Sequence, residues 1–316
     1  MEMQQKTKIL LTGVGGPAGI NMAKLLRERD DVYVVGCDVD ETAAGQFFVD
    51  EFVIAPYVKD FDVYKSWMIE QSKNADIVVP TVDDELPVLA KFVEEVSKEV
   101  ILSPKETLDI AADKYASYQW AKKELGENAP DFVLLSHWTE AWSDSESLFL
   151  KPRQGRGGRG CRVVSKKELI STKESIEKQD EWIVMELLPD TEWTVDAFVA
   201  KNGEIVYLIP RERLGLSGGI SIKGRTVKND AVIEVSNRLL NTLNCYGPVC
   251  LQFKADAAGV PKFVEINPRL SGGLMITVAA GANPVAAILS DVKGEKLAQQ
   301  DWEEVTVLGH FEYKKL

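Results

Sequence analysis

Near the C-terminal end of the sequence lies a stretch whose residue types and spacing suit metal and phosphate chemistry. In Leu251 to Arg269, LQFKADAAGVPKFVEINPR, the runs LQFKAD and PKFVEIN flank Ala257, Ala258, Gly259 and Val260, a loop length that suits a β-hairpin. Pairing Asp256 with Pro261 and counting outward in antiparallel register sets Gln252 opposite Glu265. The period of two then puts Asn267 on the same face. Leu251, Phe253, Ala255, Val264 and Ile266 form the other, apolar face. A carboxylate beside two amides is a hard-cation donor set, and Mg²⁺ is usually held by one or two carboxylates together with nucleotide phosphates. Arg269, two residues beyond Asn267 on the same side, is placed to hold a transferring phosphoryl group. The alternative is the polar, solvated face of an ordinary hairpin.

Other segments carry compatible groups. Phe149 to Pro152 (FLKP) reads as a strand running into QGRGGRGC, 154–161. This is a strand–loop–strand flap, without the GxxxxGK[ST] pattern of a P-loop. Its glycines, among them Gly157 and Gly158, allow close backbone approach to phosphates, and Arg153, Arg156, Arg159 and Arg162 add positive charge. Lys151, in a buried-type strand, needs an anionic partner, and a triphosphate is one. Trp182 to Leu188 is an apolar strand ended by Pro189, so Glu186, Leu187 and Leu188 can offer unpaired backbone donors and acceptors to a base. In Glu192 to Val199, Glu192, Thr194 and Asp196 share one face. Arg211 and Arg213 lie on one side of an extended segment, as solvated arginines or as holders of a substrate carboxylate. Gly13, Gly15 and Ala18 follow the first strand in GxGxxA spacing, with Asp38 ending the second strand. This fits a dinucleotide fingerprint, or a turn that only packs a helix on a sheet or serves the substrate side.

The elements that must position these groups follow the same order. Lys8 to Thr12, Tyr33 to Asp38, Phe52 to Ile54, Ile77 to Pro80 and Val100 to Leu102 read as strands alternating with helices at Asn21 to Arg29, Val63 to Ser72 and Glu85 to Ser97. That alternation predicts an open parallel sheet of about five strands over residues 1–103. Helices follow at Lys105 to Ala112 and Tyr115 to Leu125, with Asp113-Lys114 between them, then a strand at Pro130 to Leu135 and a polar connection from Ser136 to Ser147. Asn202-Gly203 turns the chain into Ile205 to Ile209. Residues 210–215 and 217–221 read as a polar connection, Ala231 to Asn241 and Asn283 to Val292 as helices, and Val305 to Leu308 as a strand.

With 316 residues and 45 % hydrophobic composition, about two or three domains with real cores are expected. Cys37, Cys161, Cys245 and Cys250 are scattered and show no zinc or disulfide spacing. A formal charge of −12 disfavours nucleic acid and anionic lipid as partners. The chain has no run of membrane-spanning length, and the start from Met1 to Lys8 lacks the apolar segment of a signal peptide. The cytoplasm is the expected compartment, with no membrane partner and a homodimer left open. With only His137 and His310, a three-histidine metal site is excluded.

In this order the motifs resemble the ATP-grasp superfamily, in particular the synthetase half of the carbamoyl-phosphate synthase large subunit and stand-alone carboxylate–amine ligases. The resemblance covers almost the whole chain. It implies an α/β and α+β architecture: a Rossmann-like, pre-ATP-grasp substrate domain at 1–103, a small ATP-grasp lobe with the flap at 104–182, and a C-terminal lobe with the Mg-ATP residues at 183–316. It further implies that Lys114 and Lys151 reach phosphates, that Gly155 to Gly160 cover them, and that Glu186 to Leu188 hold adenine. Glu192 would bind ribose. Gln252, Glu265 and Asn267 would hold two Mg²⁺ ions, or Mn²⁺, and Arg269 would act on the phosphoryl group. Ser217 and Gly218 occupy a stretch that approaches substrate or γ-phosphate in related enzymes. The implied activity joins a small-molecule carboxylate to an amine through an acyl phosphate, releasing ADP and phosphate. The alternatives are a carboxyphosphate-forming enzyme of the carbamoyl-phosphate synthase kind, and an NAD(P)-dependent oxidoreductase using Gly13, Gly15, Ala18 and Asp38.

Overall fold

A computed structural model describes residues 6–315 apart from 156, 190, 311 and 313. The N-terminal segment builds a parallel sheet from β1 (Thr7–Thr12), β2 (Val32–Asp38), β3 (Glu51–Ile54), β4 (Ile77–Val79) and β5 (Glu99–Val100), in the order β3-β2-β1-β4-β5. The near-continuous apolar character of β1 and β4 reflects burial on both faces, as a parallel sheet requires. On one face pack α1 (Pro17–Arg27) and residues of the C-terminal segment. Ile9, Leu11, Met22 and Leu26 share a core with Phe198, Tyr207, Leu274 and Ile288. On the other face α2 (Phe61–Ser72) joins Leu10, Val78 and Phe92 in a separate core. Pro17 opens α1 at its first turn, four residues before the start expected from the amphipathic run, because its fixed φ suits that position. The helix expected over Glu85 to Ser97 is shorter, as α3 (Leu86–Leu89) followed by a 3₁₀ turn at Val93–Glu95.

After α4 (Lys105–Ala112) and α5 (Lys114–Glu124), an antiparallel sheet of order β6-β9-β7-β8 is made by β6 (Phe132–Leu134), β7 (Ser147–Pro152), β8 (Arg162–Ser165) and β9 (Trp182–Glu186). Between β8 and β9 runs α6 (Lys166–Ser175), a helix absent from the expectation. Its signal was available as the capping box in which Ser165 and Glu168 satisfy each other's backbone amides.

The third sheet, order β14-β13-β10-β11-β12-β15, contains β10 (Glu192–Val199), β11 (Ile205–Ser217), β12 (Ile220–Thr226), β13 (Gly247–Ala255), β14 (Pro261–Asn267) and β15 (Thr306–Leu308). Three helices accompany it: α7 (Asp230–Thr242), α8 (Leu274–Ala279) and α9 (Pro284–Val292). The expected polar connection at 210–221 is instead the body of a long hairpin. β11 continues through Ser217, turns at Gly218 and Gly219 with φ of 57° and 81°, and returns as β12.

The hairpin that first drew attention departs from its expected register at the turn and recovers it at the site. Ala255, not Asp256, pairs with Pro261, and a bulge between Gln252 and Phe253 lets Gln252 still face Glu265. Asp256 instead organises the turn, its Oδ1 accepting from Ala258 and Val260 amides at 2.9 Å each. The bulge also changes the apolar face. Phe263 is buried there with Leu251, Phe253, Ala255 and Ile266, whereas Val264 is only half-buried. Cys37, Cys245 and Cys250 are buried free thiols and Cys161 is half-buried. No helix among the described residues is long and apolar enough to cross a membrane.

Candidate active site

The three sheets surround a cleft of about 1040 Å³ lined from every segment of the chain. Of the residues singled out in the sequence, Lys114, Lys151, Gly157, Gly158, Glu186, Leu187, Leu188, Glu192, Gln252, Glu265, Asn267, Arg269 and Gly218 line it.

Lys151 comes from β7 and is 3 % exposed. Its ammonium donates to the Tyr118 hydroxyl and lies 4.6 Å from that ring's centre. Tyr118 in turn donates to the Val264 carbonyl at 2.8 Å, which fixes the hydroxyl as an acceptor for the lysine. No carboxylate pairs with Lys151 among the described residues. Burial therefore pushes its pKa down to about 8, with Glu265 offsetting part of the effect and Lys114 adding to it. Lys114, at the start of α5, donates to the Gly155 carbonyl at 2.7 Å and so touches the glycine-rich loop. In that loop Gly155, Gly157, Gly158 and Gly160 all have positive φ, and both Gly157 and Gly158 are exposed, so the backbone stays accessible where side chains would cover it.

The loop's arginines divide by partner. Arg153 is bound by Asp113, the N-cap of α5, and does not line the cleft. Arg162 packs 5.8 Å from the Trp182 ring, and Arg159 alone of the described loop arginines lines the cleft. Arg156 lies outside the described residues.

At the end of β9, Glu186 is tied to Asp131 through both its amide (3.0 Å) and its carboxylate (2.9 Å), while the Leu188 amide has no backbone partner among the described residues. Glu192 is bound by Arg213, which also donates to the Gly219 carbonyl and, at 3.4 Å, to Gln252 Oε1. Arg213, read in the sequence only as a companion of Arg211, thus ties a proposed ribose acid, a metal-ligand candidate and the tip of the β11–β12 hairpin.

The donors at Gln252, Glu265 and Asn267 are oxygens on adjacent positions of β13 and β14, one carboxylate with two amides. They fit Mg²⁺ shared with phosphates, and among the described residues no cluster of three His, Cys, Asp or Glu side chains offers a competing metal site. Arg269 pairs bidentately with Asp83, both contacts 2.6 Å, and donates to the Leu270 carbonyl at 2.7 Å, which leaves two of its five N–H groups for an incoming oxygen. Asp83 lies 186 positions away in sequence.

Arg211 and Ser217 do not line the cleft. The Arg211 guanidinium is 2 % exposed and occupied by Asp196 at 3.0 Å, Ser221 at 3.0 Å and Ser271 at 3.3 Å, so the expectation that it receives a substrate carboxylate fails on access. A buried arginine needs such a set of acceptors, and Asp196 on β10 is held in place by Thr277. Ser217 is exposed at the end of β11, beside the cleft-lining Gly218.

The glycine turn at the N-terminal sheet also lines the cleft, but its amides are taken internally. Gly15 N–H donates to Asp38 Oδ2 at 2.7 Å, and Gly16 N–H to the Gly13 carbonyl at 2.9 Å. A Cβ on residue 15 would stand 2.8 Å from that Asp38 oxygen, so the carboxylate would have to shift to admit one. Sequence reasoning also passed over Glu85, which is 4 % exposed and accepts from Thr12 Oγ1 at 2.6 Å at the bottom of the cleft. Burial pushes its pKa up to about 8, the Thr12 hydrogen bond opposing and the Asp38 charge adding. The available signal was the acidic run Asp83-Asp84-Glu85 just past the carboxyl end of β4, where open α/β sheets bind ligands.

Comparison with known proteins bears on both halves of the chain. Residues 178–312 match a family model described as ATP-grasp in the biosynthetic pathway with Ter operon, and residues 9–102 match the PylC-like N-terminal domain. No curated protein sequence matches the chain. Among solved structures, the N5-carboxyaminoimidazole synthetase of Staphylococcus aureus complexed with ADP is similar with a TM-score of 0.76 at 17 % identity, over 95 % of this chain and 81 % of that one. The biotin carboxylase domain of the Hydrogenobacter thermophilus 2-oxoglutarate carboxylase, solved with MgADP and bicarbonate, gives a TM-score of 0.76 at 17 % identity over 94 % and 72 %. An L-amino acid ligase from Bacillus licheniformis gives 0.69 at 14 % identity over 93 % and 75 %.

Proposed function

Since the chain is an ATP-grasp protein with a PylC-like N-terminal domain, we propose that it acts as an ATP-dependent carboxylate–amine ligase. The observation that carries this reading is Lys151, a buried ammonium without a carboxylate partner among the described residues, lining one cleft with the Glu265 donor set and a glycine-rich loop. A site of that kind is stabilised by a polyanion. Lys114 and Lys151 hold phosphate oxygens, with Gly157 and Gly158 over them. Glu186 to Leu188 receive adenine and Glu192 the ribose hydroxyls. Gln252, Glu265 and Asn267 hold Mg²⁺, which neutralises phosphate charge when bound. The domain division at 103 and 182 is part of the same reading.

A carboxylate is ionised at neutral pH, so the first step needs no general base. Its oxygen bonds to the γ-phosphorus, the bridging P–O bond breaks, and ADP leaves with the electron pair. Arg269 stabilises the transferring group through its two remaining N–H donors. The amine nitrogen then bonds to the acyl carbon, phosphate leaves, and the amine's proton passes to solvent or phosphate. Bicarbonate in place of an organic carboxylate is the second reading, favoured by the likeness to the carboxylase domain solved with that anion. The oxidoreductase reading loses its support because Asp38 occupies the Gly15 amide that a pyrophosphate would need.

The test is ADP release with Mg²⁺ and ATP against pooled carboxylic acids, each with pooled amines, and separately against bicarbonate. Turnover that requires both a carboxylate and an amine is expected. Tight NADH binding with no MgATP binding in calorimetry would sink the proposal.

A further inference from the structure

Separate parts of the cleft converge on Arg213. It stands on β11 with 8 % of its side chain exposed and donates to Glu192 on β10, to the Gly219 carbonyl, and at 3.4 Å to Gln252 Oε1 on β13. The ladder explains the first contact. Trp193 pairs with Glu212, so the next antiparallel step sets Glu192 beside Arg213 on one face of the sheet. Lys254, the cross-strand neighbour of Glu192 on the other side, also lines the cleft, so charge alone does not single Arg213 out. Its reach to the β11–β12 turn does.

That turn meets the glycine-rich loop. A Cβ on Gly219 would stand 3.6 Å from the Gly157 Cα and 3.9 Å from the Gly157 carbonyl oxygen, so the two backbones lie side by side. On the other flank Ile220 comes within 3.1 Å of where a Cβ on Gly272 would stand, and the Gly272 carbonyl accepts from Asn21 of α1 at 3.1 Å. The turn thus stands between the loop and the N-terminal segment. Gly218 and Gly219 are exposed and have no side chains with which to anchor it. Among the described residues, Arg213 is the side chain that hydrogen-bonds it.

A guanidinium is a rigid planar fork, and here Nη1 goes to Glu192 and Nη2 to Gly219. It fixes the position of a carboxylate relative to a turn. Arg213 takes Oε1 of Glu192, and a carboxylate, with roughly four lone-pair sites, can accept from two hydroxyls besides. A Mg²⁺ ion taking the Gln252 oxygen would compete only for the longest of the three contacts. The strands are already joined by their backbone ladders, so the sheet does not need the fork.

We propose that Arg213 is a positioning residue of the nucleotide site: it orients Glu192 toward the ribose hydroxyls and holds the β11–β12 turn against the glycine-rich loop, so that ribose binding and closure over the phosphates act together. The proposal rests on the reading of Glu192 as the ribose acid and of residues 155–160 as the phosphate cover.

The experiment uses the full chain with MgATP, its 2′,3′-dideoxy counterpart and a non-hydrolysable MgATP analogue. Calorimetry gives affinities, and trypsin cleavage after Arg159 reports loop closure. Wild type should prefer MgATP to the dideoxy nucleotide, and the analogue should slow cleavage severalfold. Arg213→Met should weaken MgATP at least tenfold, shrink that preference at least fivefold, and leave cleavage unslowed even at saturating analogue. Arg213→Lys keeps a charge for Glu192 but has one nitrogen in place of the fork. It should return MgATP affinity to within about threefold of wild type and still leave the loop unprotected. A purely structural arginine would lower the melting temperature of both variants and weaken the two nucleotides alike. That outcome overturns the proposal, as does full protection of the loop in either variant, or a wild type that binds both nucleotides equally. Wild-type protein that binds no MgATP at all would remove the nucleotide reading itself, and the proposal with it.

Discussion

Replacing Lys151 with Met should raise the stability of the nucleotide-free protein while weakening its grip on ATP. The side chain is 3 % exposed, and its ammonium has a phenol and an aromatic face as company and no ion-pair partner among the described residues. Its pKa falls from 10.5 to about 8. At ~1.4 kcal/mol per pH unit this is about 3 kcal/mol against the charged form at neutral pH. Methionine matches the chain's volume and carries no such penalty, and Tyr118 keeps its bond to Val264. A gain of about 1–3 kcal/mol follows, a few degrees in melting temperature. The pH dependence provides an internal check of sign. Between about 8 and 10.5 the unfolded chain binds this proton and the folded chain does not, so the Lys151 contribution to wild-type stability should rise with pH across that window and the advantage of Lys151→Met should shrink, the opposing contribution of the raised thiols being common to both proteins. MgATP should remove that rise in the wild type by holding the ammonium charged. Losing a charge-assisted phosphate contact of about 1.5–3 kcal/mol weakens MgATP about 10- to 150-fold. Melts across pH 7 to 10.5, with and without MgATP, and calorimetry read all of this. A variant that is less stable than wild type without nucleotide, or that binds MgATP within twofold of it, would refute the reasoning.

Glu265→Gln keeps the shape of the anionic member of the Gln252, Glu265 and Asn267 set but removes its charge. Turnover should drop on the order of 10² or more, at least about 2.7 kcal/mol, with an unchanged melt and a smaller effect for Gln252→Ala; full activity would end the metal assignment. Arg211→Ala should cost stability, about 3–5 kcal/mol, by stranding Asp196, and a melt within a degree of wild type would show the buried network to be idle. Cleavage after Arg159 by trypsin should slow with a non-hydrolysable ATP analogue, and an unchanged rate would remove the flap role from 155–160.

The parts of the architecture legible in sequence were those written in short-range pattern. The βαβ opening, the two helices either side of Asp113-Lys114 and the Lys151 strand all follow from periodicity. Gln252 and Glu265 were rightly placed opposite one another, although through a bulge that offset a misplaced turn. The β11–β12 hairpin was missed because its inward side carries Arg211 and Arg213 rather than apolar residues, which hides the alternation of two. The pairing of Arg269 with Asp83 and the junction of Arg213 with Glu192, Gln252 and Gly219 depend on chain crossings that no local spacing encodes. Arg211 was misjudged for the same reason, since burial of its whole side chain is set by residues from other strands.

The bond between Gly15 and Asp38 has a kinetic and competitive meaning as well as a geometric one. Asp38 is tethered to the turn by the sheet, so it competes for the Gly15 amide at an effective concentration that free metabolites, usually at millimolar levels or below, do not match. The turn thus behaves as an anion site with a permanent internal inhibitor. A free phosphate must therefore displace that carboxylate before it can reach the Gly15 amide.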